Sequence, residues 1–273
     1  MSLFNIPSCL IFHNTKIKEY PDGAYKITVA SKPVFKEKGF ELSEDKPKLS
    51  KPKNLDGVSR DDSVLRAKNR VYDIIRMNDF SCFVTLTFSG EKTERSSVPQ
   101  TFEKVTNFLA NQVQRSNLKY VLIPEYHKKN KAIHLHGFFC GNIKLLDSGT
   151  VKAEGYDKPI KKETARRKGI DLEKCQAVYN LPQWKWGFST AIKTNGNNAA
   201  LSKYITKYIT KDVQKIFGNF YLAGGKGLIR DVPFSLSDTD FSQFQGDSEV
   251  YCPVTDTSFK YLDTSGKSEK YAF

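Results

Sequence analysis

The stretch Cys82-Phe-Val-Thr-Leu-Thr-Phe88 alternates along its length and is rich in β-branched and aromatic residues. Such a composition is typical of a well-packed β-strand. Outward from it, Pro99 opens a segment with apolar residues at helical spacing, and residues 120–125 and 132–140 have the composition of two further strands. The short polar turn between these two strands predicts that they pair antiparallel.

The elements that follow complete the predicted fold. A strand is expected at residues 186–193 and a helix at residues 198–216, after a polar insertion over residues 144–174. A basic amphipathic helix is expected from Asp61 onward, before the first strand. This order predicts the α+β class, with a mostly antiparallel sheet of four to five strands and flanking helices.

Composition divides the chain into three parts. Residues 43–57 hold two prolines and four lysines and almost nothing apolar, which is typical of a linker or exposed loop. We therefore predict an N-terminal segment with a basic linker over residues 1–57, containing one strand at 25–30, and a folded domain over residues 58–220. Glycines and Ser/Asp clusters predict a partly irregular C-terminal tail over residues 221–273.

The charge balance indicates the kind of partner. The 273 residues include 43 Lys and Arg against 30 Asp and Glu, which gives a formal net charge of +13 and a pI near 9.3. A polyanion is the expected partner, and nucleic acid is the commonest one. No apolar run approaches the roughly 20 residues of a membrane span, and the five scattered cysteines show no paired spacing. We expect a cytoplasmic protein with reduced cysteines and no membrane partner.

The polar insertion carries a basic cluster that is expected at one end of the sheet, as a loop or short helix. Basic residues that follow one another in this way can contact successive phosphates of a nucleic acid. We predict that the following residues bind DNA: Lys161, Lys162, Arg166, Arg167 and Lys168.

Two histidines stand two residues apart in the predicted strand at 132–140. His134 and His136 therefore project from one face of that strand, with backbones about 7 Å apart. They can converge on one divalent ion if a neighbouring strand supplies a third ligand, and the turn returns their strand alongside Glu125. Two imidazoles and a carboxylate suit Mg²⁺ or Mn²⁺. A coincidental His-x-His is the alternative interpretation.

The sequence Tyr204-Ile-Thr-Lys-Tyr-Ile-Thr-Lys211 repeats a four-residue unit, which stacks two tyrosines on one face of a helix. An apolar stripe elsewhere on this helix can supply its core contact: Leu201, Ile205, Ile209 and Val213. A phenol with a pKa near 10 needs a base, a metal or a cation to act as a nucleophile, and Lys207 and Lys211 offer cations. An ordinary amphipathic helix with half-buried tyrosines is the alternative.

Together these motifs resemble the HUH endonucleases, and within them the two-tyrosine rolling-circle replication initiators of filamentous-type and related bacteriophages and of small plasmids. Residues 83–88 are similar to the family's first motif, and Ile133-His-Leu-His-Gly-Phe138 to its metal-binding motif. The repeat at 204–211 is similar to its tyrosine motif. The likeness covers roughly residues 60–215 and implies the RRM-like topology of that family.

The resemblance implies a catalytic group and a metal-binding group: Tyr204, Tyr208, Lys207 and Lys211 in the first, and His134, His136 and Glu125 in the second. One phenol would cleave the origin strand and become joined to its 5′-phosphate, which leaves a 3′-hydroxyl for the host polymerase. The second phenol would attack the regenerated junction after one round, and the lysines would assist each attack.

The expected function is that of a site-specific nickase and strand transferase that initiates rolling-circle replication in a bacterial host. The sequence has no Gly-x-x-x-x-Gly-Lys-Ser/Thr loop, so a host helicase is the expected partner for strand separation. A relaxase or single-strand transposase is one alternative. Another is a non-catalytic module that binds single strands, with Trp184, Trp186 or Tyr179 stacked on bases.

Overall fold

The structure is a computed structural model that describes residues 11–37, 61–127, 131–209, 215–253 and 255–265. The chain divides into two compact units. The larger is Asn54–Arg230, and the smaller combines Met1–Lys53 with Asp231–Phe273. The predicted boundaries fell after residues 57 and 220, and the smaller unit joins the two ends of the chain because their strands pair with each other.

Four short strands make up the N-terminal part of the smaller unit: β1 (Phe12–His13), β2 (Thr15–Glu19), β3 (Tyr25–Ala30) and β4 (Phe35–Lys36). Strand β1 pairs antiparallel with β4, and β2 pairs antiparallel with β3. The strand predicted at residues 25–30 is β3.

The larger unit alternates strands and helices: α1 (Asp61–Met77), β5 (Cys82–Phe88), α2 (Val98–Ser116), β6 (Lys119–Tyr126), β7 (Ile133–Cys140), β8 (Leu146–Lys152), β9 (Ile160–Lys161), α3 (Lys162–Arg167), a 3₁₀ turn (Leu172–Lys174), β10 (Gln176–Asn180), β11 (Gly187–Lys193), α4 (Asn198–Ile209) and β12 (Leu222–Gly224). The strands form one sheet in the order β12-β6-β7-β5-β11-β10-β8-β9. Every neighbouring pair is antiparallel.

The predicted α+β class and antiparallel sheet are confirmed, but the sheet is larger than the four to five strands expected. It has eight strands. The polar insertion over 144–174 accounts for two of the additional strands, β8 and β9, because its backbone extends the sheet beyond β10.

Three strands follow the larger unit: β13 (Phe234–Ser237), β14 (Ser248–Cys252) and β15 (Thr257–Asp263). They join the N-terminal strands in a sheet of order β13-β2-β3-β15-β14. The segment predicted as a partly irregular tail therefore contains regular strands, whose partners lie at the other end of the chain.

Two buried clusters cover the two faces of the eight-stranded sheet. On one face, α2 contributes Phe108 to a cluster that includes Leu86 of β5 and Leu135 of β7. On the other face, α1 and α4 contribute Ile74 and Ile205 to a second cluster. Because side chains alternate along a strand, residues 83, 85 and 87 of β5 and residues 134 and 136 of β7 face α4.

Strand β7 passes very close to β6 at Gly137. A Cβ atom at this position would lie 1.9 Å from the carbonyl oxygen of Val121, closer than any two such atoms can approach. Only glycine therefore allows the two strands to pair here, directly after His136.

Two expectations from composition concern the membrane and the cysteines. Within the described ranges, no helix is long and apolar enough to cross a membrane. Cys82 lies fully buried in the cluster under α2, and burial raises the pKa of its thiol to about 11. Such a thiol stays protonated and unreactive, as expected of a reduced core cysteine.

Candidate active site

The histidine pair lies on the face of the sheet that α4 covers. His134 stands opposite Glu125 of β6 and Thr87 of β5, and His136 stands opposite Thr85. Directly opposed residues of antiparallel strands share a face. The turn between β6 and β7 therefore brings the predicted carboxylate and the two predicted imidazoles together.

Each imidazole is held by a threonine of β5. The Oγ1 atom of Thr85 lies 3.1 Å from Nδ1 of His136, and Oγ1 of Thr87 lies 3.1 Å from Nδ1 of His134. When a hydroxyl accepts from Nδ1–H, the Nε2 atom carries the lone pair that can bind a metal. Metal-binding histidines commonly have their second nitrogen held in this way.

Neither threonine was assigned a role from the sequence. Their stretch was recognised as a strand, but its polar face was given no function. The available signal was the alternation itself, which places residues 85 and 87 on the same face as Phe83 and opposite the buried Leu86.

Glu125 approaches the same pair from the other side. Its Oε2 atom lies 3.5 Å from Nε2 of His136, and the two side chains are 14% and 19% exposed. The carboxylate thus faces the ring nitrogen that the threonine leaves for a ligand.

The donor set suits a hard divalent cation such as Mg²⁺ or Mn²⁺, because it combines a carboxylate with imidazoles whose Nδ1 atoms are already held. Among the described residues, no three His, Cys, Asp or Glu side chains stand close enough together to hold a metal ion. The ring centroids of His134 and His136 are 6.4 Å apart. The support for a metal therefore lies in the chemistry of the donors.

His134 has a second imidazole and an arginine near it. The ring of His127 lies 5.3 Å from its own, between centroids. Burial lowers the pKa of His134, and the charges of His127 and Arg95 lower it further. The neutral form of the imidazole, which is the form that binds metals, is favoured. Arg95 is exposed here and is a candidate phosphate ligand that the sequence did not indicate.

The two tyrosines of α4 lie over this group. The ring of Tyr208 stacks on that of His136, with centroids 4.6 Å apart and an interplanar angle of 23°. The hydroxyl oxygens of Tyr204 and Tyr208 are 2.8 Å apart. Phe83 of β5 contacts both phenol rings, with centroid distances of 5.3 Å and 6.4 Å. The structure therefore brings both predicted nucleophiles to the histidine pair.

The surroundings of Tyr208 oppose its ionisation. Burial raises the pKa of its phenol, and the hydrogen bond to Tyr204 and the negative charge of Glu125 raise it further. The phenol remains protonated at neutral pH, so a nearby positive charge is needed to stabilise its anionic form during attack.

The two predicted lysines differ in how the structure treats them. Lys207 is exposed on α4, between the two tyrosines. Lys211 lies outside the described residues, as does Val213. Ile205 and Ile209 are buried, so the apolar stripe supplies the core contact of α4 as predicted.

The basic cluster lies at the edge strand β9 and in α3. Four of its five members are exposed, and Lys162 forms an ion pair with Asp147: the exposed ones are Lys161, Arg166, Arg167 and Lys168. In the sheet order, β5, β11, β10 and β8 stand between β7 and β9. The structure therefore places the cluster several strands away from the tyrosines.

The aromatic residues expected to stack on bases lie on the other side of the sheet. Trp184 is 4% exposed in the cluster under α2, and its indole donates to the carbonyl oxygen of Thr87. Trp186 and Tyr179 pack against the same cluster. The expectation for Trp184 is corrected, because a buried core residue cannot stack on a nucleic acid.

Comparison with known proteins supports a role in replication. Residues 81–213 match the model of a family described as replication-associated protein ORF2. The matched segment is slightly less than half of the chain, yet it runs from β5 past α4 and contains both histidines and both tyrosines. Searches of curated proteins and of solved structures found no match. The match supports a likeness to rolling-circle replication initiators.

Proposed function

We propose that this chain initiates rolling-circle replication by nicking one DNA strand at a replication origin and later rejoining it. The observation that carries the proposal is the position of the two phenols, whose hydroxyls are 2.8 Å apart while the ring of Tyr208 stacks on His136. The replication-associated family match and the net charge of +13 support DNA as the substrate. The His pair on an inner strand of an antiparallel sheet supports the HUH, RRM-like topology.

His134, His136 and Glu125 are the residues that would hold the metal. A bound Mg²⁺ or Mn²⁺ supplies polarisation of the scissile phosphodiester and offsets its developing negative charge. Thr85 and Thr87 fix the imidazoles so that Nε2 of each ring is the atom with the lone pair.

The cleavage step is a transesterification at phosphorus. The phenol oxygen of one tyrosine forms a bond to the phosphorus atom, and the bond from phosphorus to the 3′-oxygen breaks. The phenol loses its proton, and the leaving 3′-oxygen gains one, for which Lys207 or Lys211 is the proposed donor. The hydrogen bond between the phenols stabilises the ionised oxygen of the attacking tyrosine, because its neighbour can donate to it.

The second tyrosine gives the site a second round. The phosphotyrosine link replaces one phosphodiester by another, so the DNA bond can be restored by attack of a 3′-hydroxyl. With two phenols on one helix, one tyrosine can remain linked to DNA while the other attacks the regenerated junction. A host polymerase would extend the free 3′-hydroxyl, and a host helicase would separate the strands.

The test is incubation of the full chain with a single-stranded oligonucleotide that carries the hairpin-forming origin of its own replicon. With Mn²⁺ present, we expect a protein–DNA adduct that survives denaturing electrophoresis and a product with a free 3′-hydroxyl. Without metal, neither should form. The variant with both Tyr204→Phe and Tyr208→Phe is the matched control.

The exposed basic cluster favours one other candidate, a non-catalytic module that binds single strands. That function predicts salt-sensitive binding of the same oligonucleotide with no adduct in the presence of Mn²⁺. A relaxase or single-strand transposase would form the adduct on a different DNA sequence, so substrates with and without the origin separate it from an initiator.

A further inference from the structure

A phenylalanine stands exposed on the sheet that carries the site. Phe188 of β11 is 74% exposed, more than any other large apolar side chain in the described ranges. An exposed aromatic ring on a regular strand contributes nothing to the core, and such rings are commonly used to contact a ligand.

The register places this ring on the same face as the candidate active site. Phe188 stands opposite Thr87, Thr87 stands opposite His134, and His134 stands opposite Glu125. These four residues form one row across four adjacent strands and therefore share a face. Phe188 is two strand spacings from His134, which is roughly 10 Å.

The same face continues from β11 to the basic cluster. Further along β11, Ile192 stands opposite Val178 of β10, which stands opposite Thr150 of β8, which stands opposite Lys161 of β9. Lys161 is exposed on this face, about 15 Å from β11 by strand spacing. Phe188 thus lies between the tyrosines and the exposed cations of the sheet edge.

We propose that Phe188 stacks on a nucleobase of a DNA strand that runs across this face, from the tyrosines toward the basic cluster Lys161–Lys168. The inference rests on the proposed function for the identity of the ligand. A single strand fits because it combines a phosphate backbone, which complements the cations, with bases whose π-faces stack on an aromatic ring. A stacked base next to the site would hold the strand in position for attack.

The test compares two 15-nucleotide probes with equal phosphate charge, an oligothymidylate and a fully abasic strand, by fluorescence anisotropy without metal. The wild-type chain should bind the oligothymidylate more tightly. Phe188→Ala should weaken that binding by between about 5-fold and about 100-fold, which is the range for one stacked base, and leave binding of the abasic strand unchanged. The slope of affinity against salt should not change, because the ring neutralises no phosphate.

Three further variants define the effect. Phe188→Trp should retain the preference for bases, and Phe188→Thr, which suits a strand, should repeat the loss seen with alanine if folding is a concern. Phe102→Ala is the matched control, because Phe102 is a partly exposed ring on α2, which covers the opposite face. It should bind both probes as the wild-type chain does.

Unchanged binding of oligothymidylate by Phe188→Ala would overturn the inference, and so would an equal loss on both probes. A change of oligomeric state in Phe188→Ala with unchanged DNA binding would identify the ring as a protein contact and would also overturn it. The proposed catalysis fails separately: if the wild-type chain forms no adduct with origin DNA and Mn²⁺ while Phe188→Ala loses base-dependent binding, stacking stands and nicking does not.

Discussion

The hydroxyl oxygens of Tyr204 and Tyr208 lie 2.8 Å apart, so two phenols on successive turns of one helix share a single hydrogen bond. Their surroundings differ. Tyr204 is 43% exposed, whereas Tyr208 is half-buried against His136, with its pKa raised by burial. Two chemically identical side chains are therefore inequivalent at this site.

From this difference we predict that Tyr204 acts first. Tyr204→Phe should reduce formation of the first adduct on the order of a thousandfold or more, as expected for loss of a nucleophile. Tyr208→Phe should keep the adduct and reduce rejoining, because the second attack lacks its phenol. Single-turnover assays that follow adduct formation and circle release separately measure the two steps.

The outcome that contradicts this prediction is specific. Equal effects of the two substitutions on both steps would show that the difference in exposure does not set the order. An adduct formed by the doubly substituted chain would show that neither phenol is the nucleophile.

The second prediction concerns His136 and the metal. His136→Ala should abolish cleavage, and addition of a chelator to the wild-type chain should do the same. Affinity for single-stranded DNA should remain nearly unchanged, since it depends mainly on Lys and Arg contacts with phosphates. Nicking and anisotropy measurements on the same preparations test this. A parallel loss of cleavage and binding would indicate a structural histidine.

The third prediction concerns the threonines under the imidazoles. Thr85→Val keeps the shape of the side chain and removes the hydroxyl that holds Nδ1 of His136. We expect Mn²⁺ affinity, measured by titration calorimetry, to fall between about 10-fold and 100-fold, and Thr85→Ser to restore it. Imidazole nitrogen NMR of the metal-free chain should show a mixed tautomer in the valine variant. Thr87→Val should act in the same way on His134.

Thr190→Val is the matched control for this experiment, because Thr190 stands opposite Thr85 on β11 and shares its face. It should bind Mn²⁺ like the wild-type chain. If Thr85→Val lowers the thermal midpoint but leaves Mn²⁺ affinity and the tautomer unchanged, the hydroxyl has only a structural role.

The fourth prediction concerns the basic cluster. Replacing Arg166 and Arg167 by glutamine should weaken single-strand binding at low salt and flatten the slope of log affinity against log salt by about 0.7 for each lost phosphate contact. Cleavage of DNA at saturating concentration should change little, because the cluster lies several strands from the tyrosines. Arg115→Gln, an exposed position on α2, is the control. An unchanged slope would exclude the cluster from the DNA path.

The fifth prediction tests the strand spacing beneath the site. Gly137→Ala should lower the free energy of unfolding by about 3 kcal/mol or more, because both the new Cβ atom and the Val121 carbonyl oxygen belong to paired backbones. Gly90→Ala, whose Cβ would meet only the side chain of Arg95 at 3.4 Å, should stay near the wild-type value. Urea unfolding measures both, and similar stabilities for the two variants would contradict the close approach.

Local patterns in the sequence predicted the central elements well. The alternation in residues 82–88 predicted β5, and the short turn after residue 126 predicted the antiparallel pairing of β6 and β7. These features depend on neighbours in the chain. Strand β8 was missed because Asp147, Ser148 and Gly149 have low strand propensity, and it forms through pairing with β10.

The site shows the same division between local and distant information. The faces of His134, His136 and Glu125 followed from spacing and a turn. The roles assigned to Thr85 and Phe188 depend on which residues stand opposite them on β7 and β5. That register is set when distant strands pair, so no local pattern in the sequence contains it.

The smaller sheet joins strands from the two ends of the described chain, so the larger unit is in effect an insertion between β4 and β13. During synthesis, the residues of the larger unit are complete before β13 and β15 exist. Until then, β2 and β3 form a hairpin with both edges unpaired, and such edges are templates for aggregation. A translation product that stops after residue 230 would carry the described catalytic groups together with an unprotected hairpin.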